Sequence, residues 1–287
     1  MILTEKRYIF QGSAVAIGAQ VSGLNEEQRT QMSFPGSAAL GPSGGFSSSL
    51  IQRHSVNVPG LKLSFENATA SIEGTLQPDL GRVEAKAAVA NVRVHDVIIE
   101  KVQASLIAED PRNYGQLRFK SPLMPEIGGV SIGGAELEII LDDVFLSIPT
   151  KQALVDEFAN NAGFRKCFED RFYHTGKEFP NPCRHVIPEI NGFIVTSIVK
   201  SIRFKKDMPV GASINGNQVA LPGFGTFYFG ELLIASHQRI LTMVRMELQG
   251  VPEIETDALS FAPPADANSR SGVDCGSIDP GQPIIMP

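Results

Sequence analysis

The chain has no tryptophan and only four tyrosines. Flat aromatic platforms for sugars or unstacked bases are therefore scarce. Its three cysteines are too few for a disulfide framework and too few to name a redox compartment. No apolar run approaches the ~20 residues that a helix needs to cross a bilayer. Positive charge is in deficit, with 25 Lys and Arg against 31 Asp and Glu and a net charge of −6. That balance argues against a nucleic-acid partner, whose binding rests on neutralising phosphates. No G-x-S-x-G elbow, H-E-x-x-H helix or P-loop occurs. The glycine-rich GGVSIGG at 128–134 has no helix start after it, so a phosphate cradle is excluded by context. Residues 1–21, MILTEKRYIFQGSAVAIGAQV, lack an apolar h-region and read as a strand rather than a signal peptide.

What the chain has is period-two hydrophobicity. Arg7 to Val21 reads as a strand, 22–49 as loop, and Leu50–Val58 as a second strand. Leu61, Leu63 and Phe65 then alternate with Lys62, Ser64 and Glu66, and the pattern continues over Ala68–Leu76. The most regular stretch begins at Val83, where Val83, Ala85, Ala87 and Val89 share one face. It resumes after His95-Asp96 with Val97, Ile98 or Ile99, Val102, Ala104, Leu106 and Ala108. An antiparallel pair with one wet face explains it, and the small inner residues suit a curved or closely stacked sheet. His95 reads as a turn residue. Phe193–Phe204 reads as one apolar strand, Asn215-Gly216-Asn217 as a hairpin turn, and 239–248 as a closing strand.

One stretch breaks the pattern. After Pro149, Thr150 is an N-cap candidate for a helix whose Leu154, Val155, Phe158 and Ala162 recur at three- and four-residue steps. Residues 160–163 are a weak point, and Phe164, Cys167, Phe168 and Phe172 would share a side of a second short helix. Cys167 and Cys183 flank fifteen residues of loop composition, and a disulfide closing them would stabilise by about 3 kcal/mol. Free thiols are one rival reading. The other is a metal site built from Cys167, His174, Cys183 and His185, although the spacing C-x6-H-x8-C-x-H matches no common zinc pattern. No cofactor is implied.

Glu136 and Glu138, with Asp142-Asp143 beyond them, invite a glycosidase or calcium hypothesis. Alternating charge on a wet strand face explains the first two, and a hairpin turn or bulge explains the second pair. Lys200, Arg203, Lys205 and Lys206 read as protection of an edge strand. The triplet Asn67-Ala68-Thr69 fits an N-glycosylation acceptor. From Gly250 the period disappears among Pro252, Pro263, Pro264, Pro280, Pro283 and Pro287, so 251–287 reads as an irregular tail or linker. Cys275 and the apolar Ile284, Ile285 and Met286 are its candidates for assembly contacts.

The stretch INGNQVALPGFGTFYFGELLIASHQRILTMVRMEL at 214–248 resembles the end of the bacterial choice-of-anchor P family. The Gly/Ala/Ser-rich strand at 12–22 and the loop SFPGSAALGPSGG resemble its opening. The resemblance implies an extracellular, β-rich protein at a cell surface, with no active site to transfer. The expected fold is mainly β, an antiparallel sandwich or rolled sheet, with one helical insertion at about 150–172 and a proline-rich tail. Residues 1–250 are expected to form the β-rich domain, with a helical, cysteine-bearing insertion at 150–185, and 251–287 an extended tail or linker. The expected function is non-enzymatic: a structural or surface-display protein that self-assembles through sheet edges or the C-terminal tail, its partner being itself or a surface component. A module binding an apolar or lipid-like ligand between sheet and helix is the alternative, and a metal-dependent enzyme the third reading. The expected location is extracellular or cell-surface, with the cytoplasm as alternative.

Overall fold

The computed structural model describes residues 7–20, 36–58, 61–78, 80–111, 117–171, 194–234, 239–248, 272–279 and 284–286. In chain order the strands begin with β1 (Arg7–Ile9), β2 (Ser13–Gln20), β3 (Ser37–Ala39), β4 (Gly45–Val58) and β5 (Leu61–Gln77). Next come β6 (Leu80–Val94), β7 (Val97–Pro111), β8 (Arg118–Lys120), β9 (Glu126–Ile132) and β10 (Ala135–Leu141). Two helices follow, α1 (Lys151–Asn160) and α2 (Ala162–Arg171). The chain then returns to strands with β11 (Ile194–Ser197), β12 (Val199–Phe204), β13 (Ser213–Asn215) and β14 (Gln218–Leu221). It closes with β15 (Gly225–Ile234), β16 (Arg239–Leu248), β17 (Gly272–Asp279) and β18 (Ile284–Met286).

Two antiparallel sheets face each other. Sheet I runs β12-β10-β9-β7-β6-β5-β4, with β8 beside β7. Sheet II runs β13-β14-β15-β16-β17-β2-β3, with β11 beside β15. Strands β2, β16 and β17 lie over β5, β6 and β7. Where they meet, the inner residues are small: Ala14 and Ala16 of β2 and Ala68, Ala70, Ala85 and Ala87 of β5 and β6 are all buried. Short side chains let the two layers approach closely. Bulk returns further along, at Phe65, Phe227 and Phe229. The expected mainly β architecture with a helical insertion is what the chain forms.

Sheet I keeps its long strands amphipathic by a shared slip of phase. In β6 the buried residues are Val83, Ala85, Ala87 and Val89, then Val92 and Val94. The interval of three falls at Asn91. The same jump separates Phe65 from Ala68 in β5, Ile99 from Val102 in β7, and Ile127 from Val130 in β9. These slips are neighbours. Asn91 stands opposite Glu100, between the pairs Ala90–Lys101 and Val92–Ile99. Glu100 stands opposite Gly129, between Ile99–Val130 and Lys101–Gly128. Asn67, Asn91 and Gly129 carry φ of 49°, 51° and 54°, a left-handed conformation that Asn and Gly tolerate best. Asn91 Nδ2 also donates to Glu66 at 2.9 Å, and Glu66 pairs with Arg53 at 2.6 Å.

Three expectations are corrected. The stretch 22–49, read as loop, contains β3 and the first residues of β4. Serine in GFSSSL carries too little hydrophobic contrast to show a strand. The single strand expected at 193–204 is two: at Ile198 the chain leaves sheet II for sheet I, with Ile198 N bonded to Gly230 O at 2.9 Å and Asp142 N bonded to Ile198 O at 3.0 Å. Beyond residue 250, regular pairing returns. β17 sits between β16 and β2, and β18 pairs β1. Its small and acidic residues hide the strand from any hydrophobic pattern, because its partners supply the pairing.

A buried cation ties the helical segment to the sheets. Arg239, at the start of β16, is 1% exposed. It donates to Phe145 O at 3.2 Å and Ile148 O at 2.7 Å, and its guanidinium lies 4.7 Å from the Phe119 ring centre. Nε has no partner among the described residues, and burial pushes the group down to about 10. At neutral pH the charge is retained, and among the described residues carbonyl dipoles and a ring face balance it rather than a carboxylate.

The phase slip and the clamp each generate a test. Asn91→Val is expected to lose about 1–3 kcal/mol in guanidinium unfolding, and Asn91→Gly much less. Equal losses would mean that the left-handed backbone carries no weight. Arg239→Met leaves two buried carbonyls unpaired, at about 1–3 kcal/mol each. Amide exchange should accelerate across 143–171 first, and unchanged exchange there would remove the clamp.

Candidate functional site

The helical insertion has two faces. Thr150 Oγ1 accepts from Ala153 N at 3.0 Å, the expected N-cap, and α1 ends at Asn161. Asn161 Oδ1 accepts from Phe164 N at 3.0 Å and so starts α2. Phe164 and Phe168 of α2 go inward and meet Phe145 edge-on, each with centroids 5.6 Å apart. Phe158 of α1 packs edge-on against Phe168 at 5.6 Å. The space between helix and sheet is filled with rings.

The flank of α2 beside these rings carries Cys167, packed against the core, and Arg171, whose guanidinium lies 5.6 Å from the Phe145 ring centre, and with Lys166 and Asp170 further round it lines a cleft of about 330 Å³. The opposite wall is the sheet-switching crossover around Ile198, with Lys200, and the turn that carries Asn217. The floor is tied to one carbonyl. Phe229 O accepts from Ser197 Oγ at 3.1 Å and from Asn217 Nδ2 at 3.0 Å. Ser197 Oγ in turn accepts from Val199 N at 3.0 Å. The next residue, Gly230, has φ 59°, and a Cβ there would stand 2.7 Å from Ile198. Only glycine fits this crossing point.

Arg171 grips Asp142 with two parallel bonds, Nη1 to Oδ1 at 2.7 Å and Nη2 to Oδ2 at 2.5 Å. Asp142 also accepts from Val144 N at 3.3 Å. Burial raises the Asp142 carboxyl, but the bonds and charge of Arg171 outweigh it and hold the group below its ordinary value. Burial pushes the Cys167 thiol up, against the pull of Arg171. Thiolate is therefore scarce at neutral pH, which makes Cys167 a poor nucleophile.

Cys167 is a free thiol. Cys183, His174 and His185 lie outside the described residues. Cys275 is in β17, paired through its backbone with Val244 and Ile17. Ile284, Ile285 and Met286 form β18 and pair with Ile9, Tyr8 and Arg7. Glu136 and Glu138 form cross-strand ion pairs, Glu136 with Lys205 at 3.3 Å and Glu138 with Arg203. Hydrogen bonding from Arg203 lowers the Glu138 carboxyl. That engagement fits the wet-face reading. Asp143 offers its carbonyl to Ser147 N and Oγ in the turn that leads to the helices. Among the described residues no cluster of three His, Cys, Asp or Glu could hold a metal ion. No helix among the described residues is long and apolar enough to cross a membrane.

Asp142, Arg171, Lys166, Lys200 and Asn217 come from four separate parts of the chain. Only the α2 face had a local signal, in its i, i+3, i+4 polar spacing. The fold and cleft define a two-sheet antiparallel β protein with a helical cover and a polar groove at the strand crossover. The family model for a domain of unknown function (DUF8256) matches residues 8–235, and the chain belongs to that family. No curated protein and no solved structure matches it.

The Arg171–Asp142 pair generates a pH test. A carboxyl held low in the folded state adds stability above its ordinary value of 3.8, and that stability is lost as pH falls through the lower folded value. Asp142→Asn should therefore be less stable than the parent at pH 7 by about 1–3 kcal/mol. The gap should close as acid protonates Asp142 in the parent. A gap that stays constant down to strong acid would contradict the pair.

Proposed function

We propose that this protein is a non-enzymatic structural module that pairs with a second copy of itself through β4. The observation that carries this reading is the character of that strand. β4 ends sheet I, spans 14 residues and projects Phe46 and Leu50, 69% and 65% exposed. Its sequence GFSSSLIQRHSVNV has no lysine, proline or carboxylate, the residues that usually blunt an edge. Its arginine, Arg53, is engaged by Glu66. At the other end of sheet I, β12 carries Lys200 and Arg203 and runs into Lys205 and Lys206. One edge is armoured and the other is not.

Two antiparallel copies of β4 about a two-fold axis would join the sheets and cover Phe46 and Leu50. An extracellular, surface-displayed setting is part of the proposal and rests on the resemblance of 214–248 to the choice-of-anchor P pattern. The non-enzymatic reading is supported by the ion pairs that engage Glu136 and Glu138 and by the raised Cys167 thiol. An apolar-ligand reading has less support, since rings fill the helix–sheet interface and the cleft beside α2 is polar.

Light scattering across a concentration series is the test. The parent should form dimers, and Phe46→Lys with Leu50→Lys should weaken them by about a hundredfold without changing circular dichroism. A parent that stays monomeric at its highest soluble concentration would sink the reading.

A further inference from the structure

We infer that the cleft between α2 and the β11–β12 crossover binds a small molecule bearing a compact oxyanion, a phosphate or a carboxylate, between Lys166 and Lys200. The inference is independent of pairing through β4.

These two lysines line the cleft from different elements, Lys166 from α2 and Lys200 from the start of β12. Neither has an ion-pair partner among the described residues, although the chain as a whole is acidic at −6. Arg171 is already committed to Asp142 by two bonds. That leaves two cations against one carboxylate, Asp170. Ser197 and Asn217 are held by Phe229 O, so the floor is rigid before any ligand arrives. A preset floor lowers the ordering cost of binding. The volume, about 330 Å³, suits a compact molecule rather than a polymer segment.

Cys167 lines the same cleft and reports on it. The test is alkylation of the full-length protein with iodoacetamide, a neutral reagent, quantified on the Cys167 peptide by mass spectrometry. Inorganic phosphate, malonate and chloride are compared at matched ionic strength. The expected result is saturable protection of Cys167, by about tenfold at about ten times the Kd, from phosphate or malonate but not chloride. Stronger protection by phosphate assigns a phosphorylated ligand, and stronger protection by malonate assigns a carboxylate. Lys166→Gln with Lys200→Gln should abolish protection, read as the ratio of alkylation rates with and without phosphate in the same variant, because the charge of Lys200 itself acts on the Cys167 thiol. Two results overturn the inference: equal rates in all three salts, or protection undiminished in the double variant. The parent comparison decides the matter even where the variant does not fold. Light scattering on the same samples separates this outcome from the assembly reading.

Discussion

The constraint on which this fold depends is that strands of up to 17 residues must keep one face apolar while the sheet they form bends. An ideal strand cannot change which residues face inward, because side chains alternate strictly. Sheet I solves this by changing phase once in each of four adjacent strands, along one line. The line runs through Asn67, Asn91, Glu100 and Gly129. Across it the inward set of β5, β6 and β9 exchanges odd-numbered positions for even, and in β7 the same exchange leads into a stretch, Ala104–Glu109, that is buried on both faces. A slip in one strand alone would send its remaining apolar residues to water. Four slips in line preserve the core on both halves and concentrate the bend between them, the usual role of bulge-like irregularities.

The helical insertion depends on that sheet but is fastened by different physics. The rings of Phe145, Phe164 and Phe168 give it area, while two arginines give it position. Arg171 reaches from α2 to Asp142, just after β10, and Arg239 reaches from β16 to the carbonyls of the same connector. One is a charged pair in a part-open cleft, and the other is a cation without a carboxylate in the interior. Carbonyl acceptors are fixed in direction by the backbone, so Arg239 selects one path for residues 145–148. Hydrophobic contact alone would allow the insertion to slide, because it is non-directional.

Much of this was legible in the chain, and the failures have identifiable causes. Alternation exposed β5, β6 and the first half of β7, where one face is wet, and the closing strand β16. The N-cap at Thr150 and the weak point near Asn161 were also readable, because both are local. The ambiguity between Ile98 and Ile99 was the phase slip itself. The interval of three from Val89 to Val92 shows the same slip in the sequence of the neighbouring strand. β17 and the serine-rich start of β4 had no hydrophobic contrast to show. The cleft was not legible. Its cations come from α2 and β12, and nothing in either segment says that a crossover at Ile198 brings them together.

The two ends of sheet I have different chemistry because they meet different surroundings. β12 is reached from sheet II through Ile198 and is flanked by α2, so its charges face both solvent and the cleft. β4 is entered from β3 by the turn at residues 41–44 and then runs its full length beside β5. Six inter-strand steps separate β12 from β4, roughly 29 Å along the sheet before curvature shortens it. Charges at that distance are screened from one another in physiological salt, where the Debye length is about 8 Å. Occupation of one end therefore has no electrostatic route to the other, and any coupling between them must pass through the bent middle of the sheet, the line of Asn67, Asn91 and Gly129.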